Sequence, residues 1–170
     1  MLRLIGNRKE TLKASFALFF LVFMTWTGLQ ESEATSTSDQ EHPTFCCAVN
    51  CMDGRVQDPV ANFMRKFCSA KYVDMINEAG VNKTLADNPD SGIAKYLVIN
   101  IKEEIKISQK HGAKIVAIVG HYECGGNPAG KEEQIEHLRK AKETVEAFGL
   151  NIQVILLWVE KDFKTVVLIK

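Results

Sequence analysis

No charge of one sign dominates this chain. Lys plus Arg and Asp plus Glu number 21 each, so the net charge is zero. The basic excess that draws proteins to nucleic acid is missing, and a nucleic-acid partner is not expected. Internal repeats and low-complexity tracts are also missing from the folded part. One long apolar run is present, residues 14–29, and it falls short of the roughly 20 apolar residues of a spanning helix. The cysteine count, five, is odd, so a disulfide framework cannot use them all. At 170 residues one domain is the default, larger than the small scaffolds that depend on disulfides.

What is present begins with a sorting pattern. Arg3, Arg8, Lys9 and Lys13 precede the apolar run, and polar residues 30–41 follow it. This is the order of a secretory signal. Phe16, Leu18, Phe19, Phe20, Leu21, Val22 and Phe23 leave no polar face for a surface helix. Residues 1–34 are therefore expected to be a signal peptide, cleaved near Ala34, or a signal anchor if uncleaved. The protein would be exported, periplasmic or extracellular, or else held on a membrane through this segment alone. Residues 35–44 read as a linker and 45–170 as the domain. Export would put Cys46, Cys47, Cys51, Cys68 and Cys124 in an oxidising compartment, where metal ligation of some of them is reasonable.

Within the domain, apolar segments and helical periodicities alternate. Residues 45–50, 72–76, 114–119 and 152–159 read as strands, with a short last strand at 165–169. A helix is expected from Asp58-Pro59 onward, Asp58 as cap and Pro59 at the first helical position, burying Val60, Phe63, Met64 and Phe67. Residues 82–91 read as a loop because of Asp87-Asn88-Pro89-Asp90. A long helix follows at 92–110, with an apolar stripe of Ile93, Leu97, Ile101 and Ile105. Another is expected at 131–148, burying Ile135, Leu138, Ala141, Val145 and Phe148. Such alternation implies a three-layer α/β/α domain with a mainly parallel sheet and a short additional C-terminal strand. Ligands then bind beyond the carboxyl ends of the strands, at a topological switch point.

Two motifs fall at those ends. Cys51-Met52-Asp53-Gly54-Arg55 follows the first strand, and His121-Tyr122-Glu123-Cys124-Gly125-Gly126 follows the third. Cys51, His121 and Cys124 make a Cys2His set with one coordination position left over, as in catalytic zinc sites. Asp53 could orient a nucleophile, with Arg55 clamping its carboxylate and keeping it ionised; the alternative is an ordinary turn ion pair. Gly125 and Gly126 could let backbone N–H groups approach an anion or substrate, or simply form a turn before the next helix. His111 reads as a helix-end residue, His137 as solvated, and His42 falls in the linker. Cys46 and Cys47, adjacent on a strand, should face opposite ways. These two and Cys68 read first as packing residues. Trp158 is expected in the core, and Asn82-Lys83-Thr84 is a glycosylation sequon.

At these residues the chain resembles the β-class carbonic anhydrases, which carry Cys-x-Asp-x-Arg after the first core strand and His-x-x-Cys-Gly after the third. The resemblance implies one zinc ion per chain on Cys51, His121 and Cys124, and a catalytic dyad of Asp53 and Arg55. It implies a parallel core in the order 2-1-3-4 and a homodimer or higher homo-oligomer, with carbon dioxide and bicarbonate as the small-molecule substrate pair. Gly54 stands where that family often has Ser, and Ile76-Asn77-Glu78-Ala79-Gly80 keeps only the Ala-Gly of its Arg-Asn-Ala-Gly segment. The reading is therefore a zinc lyase hydrating carbon dioxide. Hydrolysis of carbonyl sulfide or carbon disulfide at the same zinc is one alternative. A non-catalytic zinc or thiol-redox protein is the other.

Overall fold

The computed structural model describes residues 44–170. The expected signal or anchor and nearly all of the linker, including His42, lie outside the described residues. In chain order the elements are β1 (Phe45–Asn50), α1 (Gly54–Cys68), β2 (Tyr72–Asn77), α2 (Val81–Asp87), α3 (Gly92–Lys110), β3 (Ile115–His121), α4 (Lys131–Glu146), β4 (Gln153–Val159) and β5 (Val166–Ile169). Among the described residues no helix is long and apolar enough to cross a membrane.

The strands form one sheet in the order β2-β1-β3-β4-β5. The first four run parallel, and β5 pairs antiparallel with β4. Because side chains alternate along a strand, each strand feeds two cores. Cys47, Val49, Val116, Ile118, Val154 and Leu156 face one side, with residues of α2, α3 and α4. Cys46, Ala48, Ala117, Val119, Ile155 and Leu157 face the other, with Val56, Val60 and Met64 of α1. These are the three expected layers. The first connection from β1 leads to β2 on one side, while β3 lies on its other side. The carboxyl ends of β1 and β3 thus flank the switch point.

Local chemistry moved several boundaries. Helix α1 begins at Gly54, not at Pro59. Asp53 caps it, its Oδ1 accepting from the Arg55 backbone N–H at 2.9 Å, and this cap overrides the Asp58-Pro59 signal. Pro59 lies inside the helix, where it deprives the Arg55 carbonyl of its helical donor. The buried face is Val56, Val60 and Met64, each contributing roughly 1.5–3 kcal/mol on burial, whereas Phe67 is exposed. Residues 82–87, expected as part of a loop, belong to α2, because Val81 and Leu85 share one buried face. Helix α3 keeps its expected bounds, but Val98, Ile101 and Ile105 carry its buried face and Ile93 is 89% exposed. Strand β3 runs on through His121. Helix α4 ends at Glu146, short of the expected 148; within it Ile135 is only half-buried while the polar Gln134 is fully enclosed, and Phe148, beyond its end, is half-buried as well. Trp158 is in the core as expected.

Candidate metal centre

Each candidate ligand residue is placed by hydrogen bonds to its backbone or by its position at a strand end. Asn50 Oδ1 accepts from the Cys51 N–H at 2.9 Å, and Gln57 of α1 donates to the carbonyls of Cys51 (2.7 Å) and Asp53 (2.9 Å). These bonds turn the chain from β1 into α1 with Cys51 pointing inward, 5% exposed. His121 ends β3, and Cys124 follows in a turn that Glu123 makes in the left-handed region, φ 53°. The ligand atoms of Cys51, His121 and Cys124 all lie within 4.8 Å of one another, and all three residues are buried.

The three residues fit a tetrahedral metal ion. Two zinc–sulfur bonds of about 2.3 Å at the tetrahedral angle separate the sulfurs by about 3.8 Å; Cys51 Sγ and Cys124 Sγ are 3.7 Å apart. His121 Nδ1 is 2.9 Å from the Tyr122 carbonyl oxygen, a contact that requires the proton on Nδ1. That leaves the lone pair on Nε2, which is buried without a hydrogen-bond partner. A ligand histidine fixed through its other nitrogen is the usual device for orienting an imidazole toward a metal.

The sulfurs themselves are prepared for charge. The Cys124 thiol donates to Cys51 at 3.7 Å, and the backbone N–H groups of Gly80 and Asp53 add to this, so the Cys51 thiolate is strongly favoured against its burial. Once Cys51 is ionised, a second thiolate beside it is opposed, and Cys124 is pushed up. A divalent cation between the two would remove that opposition.

Asp53 and Arg55 stand beside the cluster. Arg55 Nη2 lies 2.7 Å from Asp53 Oδ2, and Nε lies 3.1 Å from both carboxylate oxygens. Arg55 holds the carboxyl at about 2, below its ordinary value of 3.8. The guanidinium also donates to the Glu123 carbonyl at 3.3 Å and rests 4.1 Å from the Phe163 ring centroid. The arginine therefore ties the first motif to the second. A groove of about 500 Å³ runs past Arg55 along α1, bordered by Asn62, Phe63, Phe163 and Lys164 rather than by the ligands.

Residues 41–169 match the family model described as "Putative carbonic anhydrase". The chain belongs to this carbonic anhydrase family. No curated protein matches the chain significantly. Among solved structures, the carbonic anhydrase from Streptococcus mutans is similar to the chain at 15% identity and a TM-score of 0.44, over 91% of this chain and 97% of that one.

Several residues support this candidate site in ways that the sequence reading did not anticipate. Gly80 (φ 59°) and Gly126 touch backbone to backbone: a Cβ on Gly80 would lie 2.3 Å from the Gly126 carbonyl, and one on Gly126 would lie 2.5 Å from the Gly80 nitrogen. Gly126 therefore has a packing duty, and the retained Ala-Gly at 79–80 is its counterpart. Behind them, Gln134 Nε2 donates to the carbonyls of His121 (3.0 Å), Asn127 (3.2 Å) and Ala129 (3.1 Å). Asn82 Nδ2 donates to Gln134 Oε1 at 3.2 Å, and Asn82 Oδ1 accepts from Asn127 at 3.2 Å. Asn82 is 2% exposed, so the sequon is closed to a glycan. His137 is not simply solvated, since its Nδ1 lies 3.1 Å from Asn127 Nδ2. His111, at the end of α3, pairs with Asp74 at 2.9 Å. The signals available were the glycine pair and the repeated amides, but amide side chains are surface residues by default.

Proposed function

We propose that the protein is a zinc-dependent carbonic anhydrase that interconverts carbon dioxide and bicarbonate. The observation that carries this is the Cys51–His121–Cys124 cluster with Asp53 beside it but outside it. The cluster supplies three ligands, and Asp53 is held away from it by Arg55, which favours a fourth position open to solvent over one closed by a carboxylate. When bound, zinc supplies the Lewis acidity that makes water nucleophilic near neutral pH.

The chain's own residues have separable tasks. Cys51, Cys124 and His121 Nε2 hold the metal. Asp53, ionised at every pH above its depressed pKa, accepts a hydrogen bond from the attacking oxygen and turns that oxygen's lone pair toward the carbon. Arg55 fixes the carboxylate through bonds to both of its oxygens. The proton released on hydration passes to buffer.

The test is stopped-flow carbon dioxide hydration by the zinc-loaded full chain in mildly alkaline buffer. Rapid hydration that disappears in Cys124→Ala is the expected result. One bound zinc per chain without hydration would overturn the reading, as would turnover of carbonyl sulfide or carbon disulfide in its place.

A further inference from the structure

Five cysteines are present, and the metal cluster accounts for Cys51 and Cys124. All five are free thiols. Of the remaining three, Cys47 faces the core beneath α2, α3 and α4. Cys46 and Cys68 both face the other side, in the core beneath α1. They also line one cavity of about 290 Å³ at the amino end of the sheet, together with Thr44, Phe45, Lys114 and Ile115. This is the end of β1 remote from Cys51.

The segments that carry the two sulfurs are already fastened to each other. Thr44 Oγ1 donates to the Ser69 carbonyl at 3.0 Å, and the Thr44 carbonyl accepts from the N–H groups of Lys71 (3.0 Å) and Tyr72 (3.2 Å). The Cys46 thiol, fully buried, points at the Tyr72 carbonyl at 3.7 Å. Cys68 is half-buried and ends α1. We propose that Cys46 and Cys68 are a dithiol site that exchanges with a small anionic disulfide and closes to an intramolecular disulfide, joining the start of β1 to the end of α1.

The order of events follows from exposure. Burial pushes the Cys46 thiol up to about 12, with Cys68 beside it adding to the rise. Cys68 is also raised by burial, but its contact with Cys46 works the other way. Cys68 is the more accessible sulfur and makes the first attack. Its thiolate displaces one thiolate from the incoming disulfide and forms a mixed disulfide. Cys46, losing its proton to water, then attacks the Cys68 sulfur and expels the second thiolate. Two electrons pass from the cysteine pair to the small disulfide, which leaves as two thiols after taking up the two protons. Lys114 at the cavity gives an anionic disulfide an attractive approach. The closed loop, residues 46–68, contains Cys51, Asp53 and Arg55, so oxidation would restrain the unfolded chain around the first motif without consuming a ligand sulfur.

The experiment incubates the full chain with oxidised glutathione, alkylates free thiols under denaturing conditions, and maps peptides without reduction. The expected product is a peptide joining Cys46 to Cys68, lost on adding dithiothreitol and absent in Cys68→Ser. The wild-type melting temperature should rise by about 5 °C or more on oxidation, with no such rise in Cys68→Ser. Retention of both thiols, a link from Cys68 to Cys47, or a glutathione adduct on Cys68 that never closes would each overturn the proposal. Failure here leaves the anhydrase reading intact, because neither sulfur belongs to the metal cluster.

Discussion

Asp53 and Arg55 stand at the water-facing start of α1, whereas His121, at the end of β3, and Cys124, in the turn after it, are enclosed from behind by Gly80, Gln134 and Asn82. The first pair is held by charge and by a helix cap, with Arg55 45% exposed. The second is held by backbone contact and buried amides, none of which can be lost without orphaning a partner. The difference separates chemistry from architecture within one site. Substitutions in the first motif should alter catalysis in a protein that still folds. Substitutions behind the second should alter folding and metal retention together.

The sharpest attempt to break that contrast is Gly80→Ala. The new Cβ would sit 2.3 Å from the Gly126 carbonyl at a φ of 59°, so about 3–5 kcal/mol of stability should be lost. Urea denaturation measures this; a loss below about 1 kcal/mol would mean that the two loops part freely. On the other side of the contrast, Asp53→Asn should reduce carbon dioxide hydration by about 10²–10⁴-fold. Asparagine caps a helix as well as aspartate does, so near neutral pH stability should fall only by the modest contribution of the exposed Asp53–Arg55 ion pair. A large fall in stability would erase the distinction between the two motifs.

Gln134→Ala should cost about 2–3 kcal/mol, since carbonyls of the ligand turn lose their donor. Zinc affinity, read by competition with a chelator, should fall by about 10–100-fold. Smaller still is Phe163→Ala, which removes the ring beneath Arg55 and should cost about 0.5–1 kcal/mol, with a modest loss of activity. The acid dependence is the gentlest test. The Asp53 pKa is depressed from 3.8 to about 2, so its contribution is present above the unfolded value and is lost as pH falls from about 4 through 2. Denaturation midpoints across that window should therefore drop more steeply in wild type than in Asp53→Asn.

Much of this arrangement is legible in the residues. The four parallel strands announce themselves as apolar runs, and the bounds of α3 follow from Gly92 and from His111-Gly112. Cys51, His121 and Cys124 can be placed together because each falls at the carboxyl end of a strand on either side of the switch point. What could not be read is what lies behind them. Helix α2 is hidden because Asn82-Lys83-Thr84 and Asp87-Asn88 have the composition of a loop, and only Val81 and Leu85 hint at a buried face. Gln134 and Asn82 are ordinary polar residues until tertiary bonds enclose them. The Asp58-Pro59 signal misled because two capping residues compete, and only Asp53 has Arg55 to secure its carboxylate.

The contact of Gly80 with Gly126 has a consequence for how such a protein can change over generations. Elsewhere in a core, a larger residue can be offset by a smaller neighbour. Here both neighbours are already the smallest possible, and each meets only main chain. No second substitution can restore what a first one removes, so random variation at the two positions should return glycine at both among folded survivors. Diversification of the site must then proceed through the exposed α1 face, where Gly54 has open space around it.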